Sequence, residues 1–278
     1  MGSVIIDGGL VHYEVMGRGE PVICLHGWLG SWRYWMATME ALSSRYRVYA
    51  IDMWGFGDSD KLSERCTVPH FVDLVDKFID EEGLNKATLI GHSTGGTVSL
   101  KLALDRPEKV RQVVAVGAVV QGSSVSPVIG IINNPLTASA FIVGRVLGGA
   151  VIKVIAMWLS SSWQVWYREI LDDALKVTRD SSYRSMQSLR GIDLSSRIGL
   201  LDIPVLAVYG EHDNIVDPRQ GDLIAQRVRM SSLVKMKKCK HFPMLDKPDE
   251  FNKLVVNFLE HRPLHSSEQQ ILAKNRPA

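Results

Sequence analysis

The sequence predicts an α/β fold: a mostly parallel, doubly wound sheet that opens on an antiparallel hairpin and carries a helical cap inserted before its last strands. Three observations predict it. Short β-branched runs alternate with helical patterns through the first 117 residues, the same rhythm resumes at residue 204, and the stretch between loses it. Strands alternating with helices of this length read as βαβ units, whose crossover helices cover both faces of a parallel sheet.

Taken in order, apolar alternation on either side of Asp7-Gly8-Gly9 reads as a hairpin. Strand runs follow at 22–25, 48–51, 88–90 and 113–116, with helical patterns at 32–42, 68–82 and 97–104 between them. After the break come a strand at 204–209, a strand at 233–236 and a helix at 250–259. The organisation is therefore one α/β domain made of residues 1–117 and 201–262, a mostly helical cap at 118–200, and a polar tail at 263–278 that is expected to be flexible. No internal repeat or low-complexity tract is present.

Composition narrows the partners. The chain has 278 residues, 46% of them hydrophobic and 22% charged, which suits a globular protein with a sizeable core. Its 32 basic and 30 acidic residues leave a formal charge of +2, so nothing points to nucleic acid, and a small, neutral ligand is expected. Cys24, Cys66 and Cys239 show neither metal-ligand nor redox spacing and fit inert thiols in a reducing compartment. The start lacks the basic-then-apolar pattern of a secretory signal, and Met1-Gly2 is followed by Ile6 where a myristoylation signal needs Ser or Thr; cytoplasmic residence is expected.

The chemistry centres on Gly91-His92-Ser93-Thr94-Gly95-Gly96, which lies between a strand run and a helical pattern. A G-x-S-x-G sequence in that context builds a sharp turn that lifts a serine hydroxyl above the sheet, and small neighbours let helix and strand approach. A serine hydroxyl is a weak nucleophile, so it needs a base, and the base needs an acid to fix its tautomer. Asp213 follows the strand at 204–209 and His241 follows the strand at 233–236, which puts both at carboxyl ends of strands, on the edge where Ser93 stands. Asp217 is a rival for the acid, but its place before Pro218 suits a helix cap. His212 has only a local role to play.

Five segments together resemble the α/β-hydrolase superfamily: Leu25-His26-Gly27-Trp28, the stretch from Asp52 to Ser59, residues 91–96, residues 209–213 and residues 240–243. The order Ser, Asp, His is also that family's. The resemblance implies a Ser93–His241–Asp213 triad and an oxyanion hole made by the backbone N–H groups of Trp28 and Thr94. It implies that His26 and His92 brace loops, and that no cofactor or metal is required. A second position that the family uses for the acid, after the strand ending near Gly117, holds no carboxylate here. Ser rather than Asp at position 93 argues against the dehalogenase and epoxide-hydrolase branches. The expected reaction is hydrolysis of a neutral, largely apolar carboxylic ester or related acyl compound. A carbon–carbon bond hydrolase of ring-cleavage products, a perhydrolase (cofactor-free haloperoxidase) and a ligand receptor on the same fold stay open as alternatives.

The cap bears on substrate. From 118 to 167 its only charged residues are Arg145 and Lys153, and it includes Trp158, Trp163 and Trp166. These aromatic residues either pack the cap onto the core or line an apolar pocket above Ser93. Charges within 138–159 each cost about 2.5–3.5 kcal/mol of insertion, so no membrane span is expected, although an amphipathic face leaves peripheral contact through the cap open.

Overall fold

The computed structural model describes residues 2–132, 156–164, 172–174, 176–262, 264 and 270–273. Strands β1 (Gly2–Ile6) and β2 (Gly9–Met16) form the expected hairpin, with Ile6 opposite Gly9. Asp7 and Gly8 both adopt positive φ (48° and 78°), the two-residue turn whose twist matches a hairpin. Strands β3 (Glu20–Leu25), β4 (Tyr46–Ile51), β5 (Ala87–His92), β6 (Val110–Val116), β7 (Val205–Gly210) and β8 (Ser231–Met236) follow. The sheet order is β1-β2-β4-β3-β5-β6-β7-β8-β9. It is parallel from β4 through β8 and antiparallel at both ends.

β9 (Gln270–Ala273) corrects one expectation. These four residues belong to the tail read as flexible, yet their backbone pairs with β8 from Lys235 to Ser232. A parallel strand left at an edge presents a row of unpaired N–H and C=O groups, and that is what the tail takes up.

Helices α1 (Met36–Leu42), α2 (Val68–Glu81) and α3 (Thr94–Asp105) cross between the early strands. The helix expected at 32–42 is split: a 3₁₀ turn, Trp32–Trp35, leads into α1 and is capped by Ser31, whose hydroxyl accepts the Arg33 N–H at 3.2 Å. α3 starts three residues earlier than its apolar pattern suggests, directly after Ser93. Between β6 and β7 the described residues hold α4 (Pro127–Ile132) and α5 (Arg179–Arg190). α6 (Arg219–Arg227), the short α7 (Pro243–Asp246) and α8 (Pro248–Leu259) complete the chain. The stretch expected as a possible membrane contact, 138–159, is for the most part outside the described residues, as are Arg145, Lys153 and Trp166. Among the described residues no helix is long and apolar enough to cross a membrane.

The strands distribute their side chains with period two, as a sheet covered on both faces must. In β7, Val205, Ala207 and Tyr209 enter the core beneath α2 and α3, while Leu206 and Val208 enter the core beneath α1 and α8. Trp158 packs on the first of these cores and Trp163 on the second. Every parallel strand thus points its carboxyl end the same way, and loops after β3, β5, β6, β7 and β8 gather on one edge.

The approach of α3 to β3 is set by backbone contact. A Cβ on Gly95 would lie 2.3 Å from the Leu25 carbonyl oxygen, whereas Gly83, at φ +64°, has nothing within 4 Å. Gly95→Ala is therefore expected to cost roughly 3 kcal/mol through overpacking and Gly83→Ala only about 1 kcal/mol through left-handed strain. Urea unfolding of the two variants checks this, and equal losses would contradict the close approach.

Candidate active site

Ser93 sits between the last residue of β5 and the first of α3, at φ 51° and ψ −114°. That backbone region is strained for a residue with a Cβ, and the surroundings hold it there. The Ser93 N–H donates to the Val116 carbonyl at 2.7 Å, and the Ser93 carbonyl accepts from Thr97 N–H at 3.0 Å. Gly91 lacks room for a side chain because its Cβ would fall 2.2 Å from the Gly95 carbonyl oxygen. Gly27, on the loop after β3, also presses on this turn: its Cβ would be 2.8 Å from His92 Nδ1 and 3.1 Å from Ser93 Cβ.

Asp213 and His241 meet because the loops after β7 and β8 are joined by backbone. Glu211 N–H donates to the Met236 carbonyl at 2.9 Å and His212 N–H to the Cys239 carbonyl at 3.0 Å. A Cβ on Gly210 would clash with the Lys240 carbonyl oxygen. Across this zipper His241 Nδ1 lies 2.8 Å from Asp213 Oδ2. The other carboxylate oxygen accepts the N–H groups of Ile215 and Val216 at 2.9 and 3.0 Å. Both side chains are buried. Gly117, at φ 53°, faces this pair, and a Cβ there would be 3.2 Å from His241 Cε1. The position after β6 is therefore filled by backbone held against the imidazole.

The backbone N–H groups of Trp28 and Thr94 flank Ser93 on the loop after β3 and at the start of α3. Neither has a hydrogen-bond partner among the described residues. The Trp28 indole N–H reaches the Ser182 carbonyl in α5 at 3.1 Å.

His26 and His92 are both loop braces. His26 Nε2 accepts the Met53 N–H at 3.0 Å, so its Nδ1 carries the proton that bonds the Gly27 carbonyl at 2.7 Å. Burial pushes its pKa down to about 4. Burial, with the charge of His241, also holds His92 well below the usual imidazole range. Asp217 accepts the Arg219 N–H at 2.9 Å at the start of α6, and His212 is exposed beside Glu211. Asp52 is fully buried, and burial raises its carboxyl to about 7 even though it accepts N–H bonds from Asp58 and Trp32.

Among the described residues His12, Asp52 and Asp58 form a cluster with the donor types of a metal site. Its oxygens already have partners: Asp52 takes two backbone N–H groups, and Asp58 bonds Arg33 at 3.0 Å and Lys176 at 3.3 Å. Two cations beside Asp58 make this a poor place for a third.

Sequence reasoning missed Tyr34, Gly117 and Asn214. Gly117 ends a strand run and could have been read as a left-handed exit. Asn214, whose amide donates to the Trp158 carbonyl at 2.6 Å, and Tyr34, whose partners are Gly27 at the start of its own connection and His92 at the end of β5, carry no local signal.

Residues 20–146 match the family described as alpha/beta hydrolase fold. The chain is 27% identical over 263 residues to a pimeloyl-[acyl-carrier protein] methyl ester esterase of Aeromonas hydrophila, covering 90% of this chain and 99% of that one. It is 28% identical over 269 residues to a 2-hydroxy-6-oxo-6-phenylhexa-2,4-dienoate hydrolase of Comamonas testosteroni, covering 91% and 92%. The solved structure of an esterase from Exiguobacterium antarcticum superposes with a TM-score of 0.80 at 20% identity, over 94% of this chain and all of the other.

The buried groups set a pH dependence. Asp52, raised to about 7, adds stability that is full below about pH 4 and is lost as pH rises towards 7. His26, lowered to about 4, and His92, lowered well below 6.5, do the reverse: their stability is present above about 6.5 and is lost as pH falls. Between pH 5 and 6 unfolding takes up protons at the two histidines and releases one at Asp52, so these three groups together make stability rise with pH. Calorimetric unfolding at pH 5 and 6 measures this, and a flat or falling profile would contradict the three assignments together.

Proposed function

We propose that the chain, which matches the alpha/beta hydrolase fold family over residues 20–146 and is similar to esterases and a carbon–carbon bond hydrolase, is a serine hydrolase acting through Ser93, His241 and Asp213 on a neutral, largely apolar carboxylic ester. The observation that carries this reading is the strained Ser93 turn at one strand exit and the 2.8 Å His241–Asp213 pair at two neighbouring ones. With Nδ1–H given to Asp213, His241 keeps Nε2 unprotonated and able to take a proton. Ser93 Oγ attacks the ester carbonyl while His241 Nε2 accepts its proton. The oxyanion meets the N–H groups of Trp28 and Thr94, each such donor being worth about 3–4 kcal/mol of transition-state stabilisation. Collapse expels the alcohol, which takes the proton from His241, and water then releases the acid by the same steps.

The segment between β6 and β7 acts as a cap in this reading. The contacts of Ser182 with Trp28 and of Asp173 with Ser31 and Arg33 hold it over the site. Trp158 and Trp163, partly buried against the two cores, support an apolar entrance. The three buried, unpaired thiols fit work in a reducing, cytoplasmic compartment. The Comamonas relative favours a second reading, cleavage of a carbon–carbon bond in a ring-cleavage product, with the same residues.

A fluorophosphonate probe is expected to label Ser93. Ser93→Ala and His241→Ala should lower kcat on chromogenic esters by about 10⁴-fold or more, and Asp213→Asn by about 10⁴-fold. A chain-length series run beside a vinylogous 1,5-diketone separates the two readings. Full turnover in folded Ser93→Ala would remove the serine mechanism.

A further inference from the structure

Tyr34 stands outside the Ser93–His241–Asp213 set but touches the loops on both sides of it. It is buried on the 3₁₀ turn before α1. Its hydroxyl accepts the N–H of Gly27, the residue before Trp28, and lies 3.3 Å from His92 Nδ1. His92 Nε2 lies 2.8 Å from the carbonyl oxygen of His241. A carbonyl can only accept, so Nε2 carries the proton of the neutral His92 ring and Nδ1 is left with a lone pair for the tyrosine proton. The donors then run in one direction: Gly27 N–H to Tyr34, Tyr34 O–H to His92, His92 N–H to His241.

Packing acts on the same loop. The turn from Gly27 to Gly30, closed by the Gly30 N–H on the Gly27 carbonyl at 3.1 Å, lies so close over the tyrosine that a Cβ on Gly30 would clash with its ring. Within that turn Leu29 is at φ 61°, a conformation that a branched side chain keeps only under external constraint. The ring also meets His92 edge-on at 5.6 Å and Phe242, the neighbour of His241, at 6.2 Å.

We infer that Tyr34 is a positioning residue that sets the loop carrying the Trp28 N–H in register with the segment carrying His241. This rests on the serine-hydrolase reading. The Trp28 donor must meet an oxyanion that exists only in the transition state, so a loop that drifts loses rate and not substrate affinity.

Tyr34→Phe keeps the ring and removes the hydroxyl. It is expected to lower kcat on a chromogenic ester, and the rate of fluorophosphonate labelling at Ser93, by about 10- to 100-fold, with KM unchanged within about two-fold. Tyr49→Phe is the control: it removes a buried hydroxyl that has no hydrogen-bond partner among the described residues, and its kcat should stay within about two-fold of wild type. Adding His92→Asn to Tyr34→Phe should cost no more than about two-fold beyond the worse single variant, because both break one chain. Wild-type kcat in Tyr34→Phe, or additive losses in the double variant, would overturn the inference. Should Tyr34→Phe not fold, ring ¹⁵N spectra of the wild-type protein decide: His92 must carry its proton on Nε2, and a proton on Nδ1 overturns the chain of donors. A wild type that the probe does not label removes the hydrolase reading itself, whereas a labelled wild type with an unaffected Tyr34→Phe removes only this inference.

Discussion

The tight turn at Ser93 is the constraint on which the rest of the structure depends. A serine at φ 51° and ψ −114° is held against its own preference by a short hydrogen bond from its N–H to Val116 and by the start of α3 behind it. For α3 to begin there, its first turn must press against β3, which is why Gly95 lies on the Leu25 carbonyl with no room for a methyl group. That contact in turn brings the loop after β3 to Ser93, with Gly27 as the point of touch. The turn therefore ties three successive strands together at one edge, and loss of any of these glycines would act on all of them.

Around this edge the polar groups are arranged so that little charge is buried without a partner. Burial would raise the Asp173 carboxyl, but hydrogen bonds from Lys176 and Ser31 and the charge of Arg33 hold it below its ordinary value. Asp58 shares Arg33 and Lys176 with it. Asp52, close to both, receives only backbone N–H groups, and its carboxyl rises. His26 and His92 avoid charge altogether by giving each ring one donor and one acceptor role. Neutral, fully bonded groups suit a brace, since their geometry does not change with modest changes of pH.

Legibility in the sequence followed the range of the interactions. The sheet was readable because β-branched runs and helical periods are local, and strand order follows from right-handed crossovers between neighbours. The placement of Ser93, Asp213 and His241 was readable because each follows a recognisable strand, and strand exits collect on one edge. The start of α3 was misplaced because Thr94-Gly95-Gly96 has poor helix propensity, and only the packing of Gly95 on β3 overrides it. The pairing of 270–273 with β8 was missed for a related reason: it answers unpaired backbone at a sheet edge, which no side chain announces. Tyr34 was invisible because its partners Gly27 and His92 sit 7 and 58 residues away.

The same loop that carries the Trp28 N–H also receives the segment between β6 and β7. Trp28 gives its indole N–H to Ser182, Ser31 gives its hydroxyl to Asp173, and Arg33 bonds the same carboxylate at 3.0 Å. On its other side the loop is held by Tyr34 and, through Asp52, by the N–H of Trp32 at 2.7 Å. One short stretch of chain thus joins the Ser93 edge of the sheet to the segment between β6 and β7. A change in the segment above the site has a direct mechanical route to the donor below it, because the two share hydrogen bonds within a few residues. In the proposed serine-hydrolase reading, substrate choice and transition-state stabilisation would then be coupled at Trp28 and not settled on separate surfaces.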